Sequence, residues 1–393
     1  MGHHFVSRHQ NVNRQSPRPL RLLLYSKLAF YPIHWQAFLY ICSQYCVDGV
    51  VIANTPPPIP AVHQQLGTVS PVMQAENLGI QLYYMPETDW REKTRWLLQH
   101  LDAIQPDAIW VQEEPTDSFL LQVLKHYLFN RKPIIVSSVC ENIFSPVDLR
   151  GRISRRLLWS RLDGLMGVAT NSIHGIQAVG MPRRVKASPL IAGALLPPNH
   201  VEAMTLPFER TAETFVVGFV GRICEEKGWR ILLQALELLP PNFKCLIAGD
   251  GPEAATLLTW ITREALESQV FYEGLLPKEA LWRFYAALDC LVVPSLTRPT
   301  WKEQFGGVIA DGLAMGIPVV GSNSGAIPEV IGNGGLIVEE ANPRVVANAL
   351  MQLYNDPRLR AELGQNGRQR FDQEFAIPTY ARKIAHMLKL TQR

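Results

Sequence analysis

The chain has 393 residues, more than one hydrophobic core usually serves, so two domains are expected. Apolar residues make up 47% of the sequence and charged residues 19%, a globular balance with enough material for two cores. The net charge of only +3 argues against a nucleic-acid partner, because such proteins usually carry a basic face or stripe.

The start of the chain predicts a tail and a first helix. Residues 1–20 are polar and basic and lack the apolar segment of a signal peptide, so we expect a flexible tail. Residues 28–47 are apolar over a longer stretch, but Pro32, His34 and Gln36 make them too polar to span a bilayer. A buried first helix is the favoured interpretation, and a helix in contact with lipid is the alternative.

Short apolar runs rich in β-formers alternate with helical segments along the first half of the chain. The runs predicted as strands are 21–26, 48–53, 80–85, 107–112, 132–138 and 163–169. Helical patterns lie between most of them, for example at 91–104 and 117–129. This alternation is typical of a mainly parallel, doubly wound α/β sheet.

Residues 195–215 are rich in proline and polar residues and fit neither a strand nor a helix, so the domain boundary is placed there. The alternation then resumes, with predicted strands at 215–221, 244–250, 269–274, 289–295, 317–322 and 335–340. The predicted divisions are a tail at 1–20, an N-terminal Rossmann-like domain at 21–200, a C-terminal Rossmann-like domain at 201–375 and a helix at 376–393. This last helix either stays with the C-terminal domain or packs back on the N-terminal domain.

The loop in GFVGRICEEKGW, residues 218–229, follows a predicted strand and carries Arg222 and Lys227 before a helix. Two doubly wound domains that face each other form a cleft, and their ligands bind beyond the carboxyl ends of the strands. Two cations beside a helix N-terminus suit an anion such as a diphosphate. A pair of solvated surface cations is the competing interpretation.

The segment EQFGGVIADGLAMGIPVVGSNSGAIPE, residues 303–329, places one acid ahead of a predicted helix and another within it. If the intervening residues were fully helical, Glu303 and Asp311 would lie roughly 12 Å apart. Each carboxylate can accept two hydroxyl donors, and Gly306 and Gly307 let a phosphate approach the backbone between them. The spacing predicts a nucleotide-sugar, with its ribose at one acid and its sugar at the other. An ordinary helix cap and a solvated acid are the competing interpretation.

The C-terminal half resembles the retaining GT-B glycosyltransferases of family GT4. The resemblance rests on VGRICEEKG, IAGDGPE, VPS and WKEQFGGVIADGLAMGIPVVGSNSGAIPEVIG, at 220–228, 247–253, 293–295 and 301–332. Their order and their strand–helix context agree with the family. The N-terminal half is similar only through QPDAIWVQEEP, residues 105–115, and through the fold pattern. The resemblance implies a GT-B architecture, in which two doubly wound Rossmann-like domains face a cleft.

The resemblance also implies an activity. A sugar would pass, with retention, from a nucleotide-diphosphate sugar to a sugar, lipid-linked or small-molecule acceptor, in polysaccharide or glycolipid assembly. Catalysis would rest on Glu303, Arg222 and Lys227, with Asp311 at the ribose. The implied donor-binding residues are Gly221, Arg222, Lys227, Glu303, Phe305, Gly306, Gly307 and Asp311. No metal and no other cofactor is expected, because cations and helix ends take the place of a metal.

The sequence departs from the family pattern at three places. The second acid of the motif is normally Glu, and Asp311 is one methylene shorter. The loop after the first strand, SKLAFYPIHW, lacks the usual glycines. No histidine follows the strand at 134–140, where Glu141 is the nearest ionisable group. Glu113 and Glu114 are further candidates for the acceptor side, with helix capping as their alternative role.

Two other functions and one further contact stay open. The chain is alternatively an enzyme of another class on the same fold, a nucleotide-sugar epimerase or a phosphorylase, or a non-catalytic subunit that binds a sugar nucleotide. The segment RISRRLLWSRL, residues 152–162, interleaves arginines with apolar residues. It forms either a solvated basic helix or a weak peripheral contact with an anionic membrane surface.

The cysteines and histidines favour a reducing compartment. Six cysteines are scattered without a CxxC pair, and the ten histidines form no cluster with metal-ligand spacing. A disulfide framework is not expected in a chain of this length. We therefore expect a cytoplasmic protein without structural zinc, either free in the cytoplasm or peripheral to the inner face of a membrane.

Overall fold

Two parallel β-sheets, one of seven strands and one of six, organise the protein. The computed structural model describes residues 18–27, 31–54, 75, 77–130, 132–144 and 149–390. Residues 1–17 of the predicted tail lie outside these ranges. Hydrophobic cores lie on both faces of each sheet, so the predicted doubly wound α/β class is confirmed.

The first sheet lies between residues 21 and 188. Its strands are β1 (Arg21–Ser26), β2 (Asp48–Asn54), β3 (Gln81–Met85), β4 (Ala108–Val111), β5 (Ile134–Val139), β6 (Gly164–Gly167) and β7 (Lys186–Ser188). The strand order is β3-β2-β1-β4-β5-β6-β7. Leu23 of β1 pairs with Val50 on one side and with Ile109 on the other. Every residue of β4 is buried, which explains why a strand covered on both faces is a continuous apolar run.

The second sheet lies between residues 215 and 338. Its strands are β8 (Phe215–Val220), β9 (Phe243–Ala248), β10 (Val270–Gly274), β11 (Cys290–Val293), β12 (Val319–Ser322) and β13 (Gly335–Val338). The strand order is β10-β9-β8-β11-β12-β13, and all its pairs are parallel. Val217 in the centre of β8 pairs with Cys245 and with Cys290. The two sheets therefore share one winding pattern, with β1 and β8 in equivalent places.

Thirteen helices of the described residues cover the sheets. They are α1 (Pro32–Tyr45), α2 (Trp90–Ile104), α3 (Ser118–His126), α4 (Leu149–Trp159), α5 (Thr170–Ala178), α6 (Trp229–Leu236), α7 (Ala254–Arg263), α8 (Lys278–Ala286), α9 (Gly307–Ala314), α10 (Ile327–Ile331), α11 (Pro343–Asn355), α12 (Pro357–Glu374) and α13 (Ile377–Met387). The first sheet lies between α1 with α13 on one face and α2, α3 and α4 on the other. The second sheet lies between α6, α7 and α11 on one face and α8, α9 and α10 on the other.

The predicted and observed elements differ mainly at the ends of the elements. Every strand predicted from the sequence is present, and only β7 was missed, because three residues are too short to show a period. The first helix begins at Pro32 and ends at Tyr45, within the predicted stretch. No helix or strand occupies residues 195–214. The domain bounds drawn through that segment stay a prediction.

The last helix of the described chain crosses to the first sheet. α13 follows the second sheet in sequence but packs against α1. Tyr380 and Ile384 of α13 share one hydrophobic core with Phe38 and Ile41 of α1. α13 therefore ties the two sheets together.

Each sheet reverses its winding direction at its centre, between β1 and β4 and between β8 and β11. Loops that leave a sheet at such a switch point diverge, and the crevice between them is the usual ligand site of open α/β sheets. Arg222 and Lys227 follow β8, and Glu303 follows β11. Glu113 and Glu114 follow β4. The fold thus brings the predicted site residues to the two switch points.

The loops at the carboxyl ends of the two sheets touch each other. Asn142, after β5, donates a hydrogen bond of 3.2 Å to the carbonyl oxygen of Glu303. At the start of α5, the backbone N–H and the hydroxyl of Thr170 donate to the two carboxylate oxygens of Glu329, at 2.8 and 2.6 Å. These contacts join the loops after β5 and β6 of the first sheet to the turn after β11 and to α10 of the second sheet. The two switch points therefore lie on opposite edges of one cleft.

Candidate functional site

The loop after β8 carries the two cations predicted to bind diphosphate. A 3₁₀ turn at Glu225–Lys227 leads from this loop into α6. Arg222 is exposed and has no ion-pair partner among the residues that the structure describes. The ammonium of Lys227 lies 4.8 Å from the ring centroid of Trp301. One cation therefore faces solvent unpaired, while the other is held against an aromatic ring.

Glu303 lies in a buried turn after β11. Its side chain is 7% exposed, and Oε2 accepts hydrogen bonds from Lys227 Nζ at 2.8 Å and from Ser295 Oγ at 2.9 Å. A carboxylate at this depth requires such partners, because an unpaired buried charge is costly. Since both contacts engage Oε2, the other oxygen, Oε1, is the one available to a ligand hydroxyl.

The start of α9 forms one wall of this site. The helix begins at Gly307, so residues 303–306 are not helical and the fully helical distance between the two acids does not apply. Gly306 has a φ of 73°, and a Cβ there would lie 2.8 Å from Ile309 Cδ1, so only glycine fits without strain. A Cβ on Gly307 would meet nothing within 4 Å. The N–H of Ile309 donates to the Gly306 carbonyl oxygen at 2.8 Å, and the N–H groups before it are those that a helix leaves without an internal partner.

A cavity of about 160 Å³ joins these groups. Its walls include the ends of β8 and β11 and the first turn of α9. The predicted donor-site residues that line it are Gly221, Arg222, Lys227, Glu303, Gly306 and Gly307. The structure thus brings two cations, a buried carboxylate and a helix N-terminus into one pocket, and the roles of these residues stay predictions.

Asp311 lies one turn beyond Gly307 on the same face of α9, about 6 Å further along the helix axis. Its side chain is 12% exposed, and Oδ2 accepts a hydrogen bond of 2.7 Å from Lys278 Nζ. Burial raises the pKa of Asp311, and the ion pair with Lys278 opposes that rise. Asp311 is therefore not the solvated acid of the competing interpretation, although it does not line the cavity itself.

Phe305 turns its side chain away from the cavity. Its ring packs on Phe375 in a T-shaped arrangement, with 5.4 Å between the centroids. The side chain is thus used in packing between α9 and the end of α12. Only the backbone N–H of Phe305 remains for the donor, which is the role that the resemblance implies.

Glu113 binds the end of β1 at the switch point of the first sheet. Its carboxylate accepts from the backbone N–H of Lys27, whose Nζ lies 3.6 Å from Glu113 and 2.5 Å from Asp117. Burial raises the pKa of Glu113. Asp117 also accepts from the first backbone N–H groups of α3. The helix-capping role considered for Glu113 and Glu114 therefore belongs to Asp117.

Glu114 is directed at the loop that follows β5. Its Oε1 accepts from the backbone N–H groups of Cys140 and Glu141, at 2.7 and 3.0 Å. Its Oε2 is buried and has no hydrogen-bond partner among the described residues. Burial raises the pKa of Glu114 to about 7. Glu114 thus supports this loop, and its contact with an acceptor stays a prediction.

Glu141 reaches furthest across the cleft of the three acceptor-side candidates. It is exposed, and its Oε2 accepts a hydrogen bond of 2.8 Å from Gln304 Nε2. Gln304 is the neighbour of Glu303 in the chain. Glu141 therefore contacts the turn that carries Glu303, and its place on the acceptor side stays a prediction.

Two residues of the site were missed in the sequence. Ser295, which binds Glu303, is a polar residue at the carboxyl end of a buried strand. Lys278, which binds Asp311, is the first residue of α8 and comes four residues after the end of β10. Ser295 could have been identified from its position directly after a parallel strand, because ligands bind beyond the carboxyl ends of such strands. No local pattern distinguishes Lys278 from an ordinary solvated lysine.

The described residues contain neither a metal-ligand cluster nor a membrane-spanning helix. No group of three or more His, Cys, Asp or Glu side chains among them is arranged to hold a metal ion. In the same part of the chain, no helix is long and apolar enough to cross a membrane. The positive charge that faces the cavity comes from protein side chains.

Comparison with known proteins relates the C-terminal half to one family. Residues 207–370 match the family described as glycosyl transferases group 1. The chain is 29% identical over 194 residues to 2-deoxystreptamine glucosyltransferase of Streptomyces kanamyceticus, which covers 46% of this chain and 49% of that protein. It is 30% identical over 176 residues to the capsular polysaccharide biosynthesis glycosyltransferase CapM of Staphylococcus aureus, with 42% and 43% covered. The alignments thus span about half the length of these curated relatives.

Solved structures resemble nearly the whole chain. The structure of HepE from Anabaena in complex with UDP has a TM-score of 0.66 at 19% identity, and covers 95% of this chain and 100% of that one. A glycosyltransferase of Rickettsia africae has a TM-score of 0.70 at 13% identity, with 94% and 98% covered. At such identities the likeness concerns the fold, and the predicted GT-B architecture is confirmed.

Proposed function

We propose that the chain is a retaining glycosyltransferase, because residues 207–370 match the family described as glycosyl transferases group 1. It transfers a sugar from a nucleoside diphosphate sugar to an acceptor hydroxyl and needs no metal. The acceptor is a sugar, a lipid-linked glycan or a small molecule, in the assembly of polysaccharides or glycolipids. The domains proposed for this task are 21–200 on the acceptor side and 201–375 on the donor side.

The observation that carries the proposal is the charge balance at the start of α9. Lys227 compensates Glu303, and Lys278 compensates Asp311. Arg222 makes no ion pair with the described residues, although its charge also acts on Glu226 in the same loop. The N-terminus of α9 adds about half a positive charge. A diphosphate matches this surplus positive charge. Hydroxyl groups on both sides of the diphosphate match the two carboxylates.

In the proposed reaction, the bond between the anomeric carbon and the β-phosphate oxygen breaks, and its electron pair leaves with the phosphate. Arg222 and Lys227 stabilise the charge that develops there. The acceptor oxygen forms the new bond on the same face of the sugar, and its proton passes to the departing phosphate oxygen. Glu303 accepts hydroxyl groups of the transferred sugar and thereby orients it.

The substrates can be narrowed by what the relatives bind. UDP is the first nucleotide to test, because HepE of Anabaena is solved with UDP and with UDP-glucose. The relatives named above act on 2-deoxystreptamine or in capsular polysaccharide biosynthesis, so both a small acceptor and a polymer are candidates. Glu113, Glu114 and Glu141 are proposed on the acceptor side, where carboxylates can accept hydroxyl donors.

Nucleotide binding and sugar transfer test the proposal in turn. The thermal unfolding midpoint is measured with UDP, GDP and ADP, since a ligand that binds only the folded protein raises it. The sugar donors of the nucleotide that binds are then incubated with and without acceptors. Transfer to an acceptor supports the proposal. Nucleotide binding without turnover indicates the non-catalytic subunit, conversion of the donor sugar alone indicates an epimerase, and no nucleotide binding contradicts all three.

We also propose that the exposed face of α4 makes a weak contact with an anionic membrane surface at the inner face of the membrane. Ile153 and Leu157 lie one turn apart on this face and are 62% and 58% exposed. The exposed arginines Arg150, Arg152 and Arg156 flank them, and α4 contains no acidic residue. Apolar side chains between cations match the acyl boundary and the headgroups of such a surface. The free cysteines fit the reducing compartment proposed for this face.

Sedimentation with lipid vesicles tests this contact. Binding to vesicles that contain phosphatidylglycerol is expected to exceed binding to neutral vesicles and to fall as salt shortens the electrostatic reach below about 8 Å. Ile153→Ser with Leu157→Ser is expected to abolish binding, while Leu258→Ser, which replaces an exposed leucine on α7, is the matched control. Equal sedimentation with both kinds of vesicle leaves α4 as a solvated basic helix.

A further inference from the structure

Lys278 connects two helices beside the donor site. It is the first residue of α8, and its ammonium reaches the Asp311 carboxylate on α9 at 2.7 Å. The same ammonium lies 4.1 Å from the ring centroid of Trp282, one turn further along α8. A cation that is held by an aromatic ring on one side and a carboxylate on the other has little freedom to move. The ion pair between Lys278 and Asp311 is therefore well placed to hold the Asp311 carboxylate in one orientation.

Burial opposes the charge of Asp311, and besides Lys278 only a neutral hydroxyl, that of Tyr285, favours it among the described residues. Tyr285 of α8 is fully buried, and burial and the Asp311 charge raise its pKa well above the ordinary value. Tyr31, just before α1, faces Asp311 from the other edge of the cleft, and burial and the same charge raise its pKa. Of the titratable groups that face Asp311 in the described part of the chain, Lys278 is the cation. Without it, burial favours the neutral carboxyl group.

The protonation state of Asp311 decides what it can bind. An ionised carboxylate presents only acceptor sites and can receive both hydroxyl groups of a ribose. A neutral carboxyl group carries its own O–H donor and has fewer acceptor sites left. Bonds to the ionised form are also about twice as strong as bonds between neutral groups. Ribose binding through Asp311 therefore requires the charged form.

We propose that Lys278 is a positioning residue for the nucleoside end of the donor, which keeps the Asp311 carboxylate ionised and oriented to accept both ribose hydroxyl groups. This inference rests on the proposed function, since it requires that a nucleotide binds along α9. Lys278 acts through Asp311 and makes no bond to the ribose. A chain whose ribose acid is one methylene shorter than usual depends on such a partner, because the shorter side chain has less reach of its own.

Calorimetric titration of the full chain tests the proposal. UDP, GDP and ADP are titrated first, and the nucleotide that binds is then compared with its 2′,3′-dideoxy counterpart, which lacks both ribose hydroxyl groups. Lys278→Met removes the charge and keeps an unbranched apolar stem over Trp282. It is expected to weaken binding of the ribonucleotide about tenfold and to leave binding of the dideoxynucleotide unchanged. Lys278→Arg is expected to retain most of the affinity. Lys244→Met is the matched control, since Lys244 lies near the start of β9, at the opposite end of the sheet.

A double-mutant cycle separates this role from a structural one and serves if Lys278→Met alone does not fold. On the background of Asp311→Asn, Lys278→Met is expected to cause no further loss, because the charge it serves is already absent. The proposal is overturned if Lys278→Met binds the ribonucleotide as the wild type does. It is also overturned if ribo- and dideoxynucleotide lose affinity equally, or if the two substitutions add. Failure of the wild type to bind any of the three nucleotides overturns the proposed function, and this inference with it.

Discussion

The two edges of the cleft compensate their carboxylates in different ways. On the edge of the second sheet, Glu303 and Asp311 each pair with one lysine, and Arg222 is left over. On the edge of the first sheet, one lysine, Lys27, lies beside a group of acids. These acids are Glu113, Glu114, Asp117 and Glu141. Among these groups, a cation without an ion pair remains on one edge, next to Glu226, whereas acids outnumber the lysine on the other edge.

This difference would separate the two proposed substrates by their charge. A diphosphate is attracted to the edge that carries Arg222 and the N-terminus of α9 and is repelled by the acids opposite. A neutral acceptor loses nothing on the acidic edge, where carboxylates can accept its hydroxyl protons. The comparison therefore predicts that substitutions on the second sheet act on the donor, whereas those on the first sheet act on loop stability or on the acceptor.

The largest effect is expected from removal of the excess positive charge. Arg222→Ala or Lys227→Ala should lower kcat/KM for sugar transfer 100-fold or more, or by about 3 kcal/mol of transition-state stabilisation. Arg222→Ala should leave the thermal midpoint unchanged, because the side chain is exposed and has no ion-pair partner in the described residues. Steady-state kinetics and thermal melting, with Lys244→Ala as control, check this. Near-normal turnover in both variants would show that this loop does not bind the diphosphate.

A smaller effect is expected at the ribose end. Asp311→Asn keeps the shape and removes the charge, so the donor KM should rise about tenfold while kcat changes little. Asp311→Glu should leave the donor KM similar or lower it. Glu303→Gln should instead depress kcat, because Glu303 is expected at the reacting sugar. Donor kinetics on the three variants decide the matter, and an Asp311→Asn variant with both parameters of the wild type places the ribose elsewhere.

A still smaller effect is expected in stability at the acidic edge. The pKa of Glu114 rises from 4.5 to about 7 on folding, so between these values the folded state holds a proton that the unfolded state has released. The free energy of unfolding therefore falls as pH rises through this window. The shift sets a ceiling of about 3 kcal/mol, and partial solvation should reduce the change to about 1 kcal/mol.

Glu114→Gln should abolish this fall, because an amide does not titrate. Urea unfolding at pH 5 and pH 8 measures the difference, with Glu87→Gln on the exposed turn before α2 as the control. An identical pH dependence in the wild type and in Glu114→Gln would show that Glu114 is ionised throughout the window. The site would then lose its proton-exchanging group, although not its support of the loop after β5.

The smallest effect is expected from chelation. If Arg222, Lys227 and the N-terminus of α9 supply the positive charge for the diphosphate as proposed, excess EDTA should leave the transfer rate within about twofold. The assay is run with and without Mn²⁺ and Mg²⁺. Complete loss of activity in EDTA, restored by either ion, would mean that the cations of the second sheet do not suffice for the leaving group.

The fold could be predicted because its signals are local in the chain. Strands covered on both faces are continuous apolar runs, and helices between them keep an apolar stripe, so the elements of both sheets were visible in the sequence. β7 was missed because a strand of three residues carries no period. The segment 303–311 could likewise be recognised as a candidate binding segment, because its acids and glycines lie close together in the sequence, within one turn and the helix that follows it.

The partners of Glu113 and Glu114 could not be predicted from such local signals. Both residues follow β4, and nothing in the sequence distinguishes one from the other. In the structure, Glu113 binds Lys27 at the end of β1, and Glu114 binds the backbone after β5. Which neighbouring strand each acid meets depends on the strand order of the sheet, and that order is decided by packing between distant segments.

By itself, the sequence determined the two α/β halves, the resemblance to a glycosyltransferase family and the residues at the strand ends. Only the tertiary structure decided how their charges are paired. Lys227 and Glu303 come from different strand ends, and Lys278 and Asp311 from different helices. A hydrophobic period is encoded by neighbours in the chain, whereas an ion pair requires two side chains to be buried at one place. That place exists only after the helices have packed on the sheet.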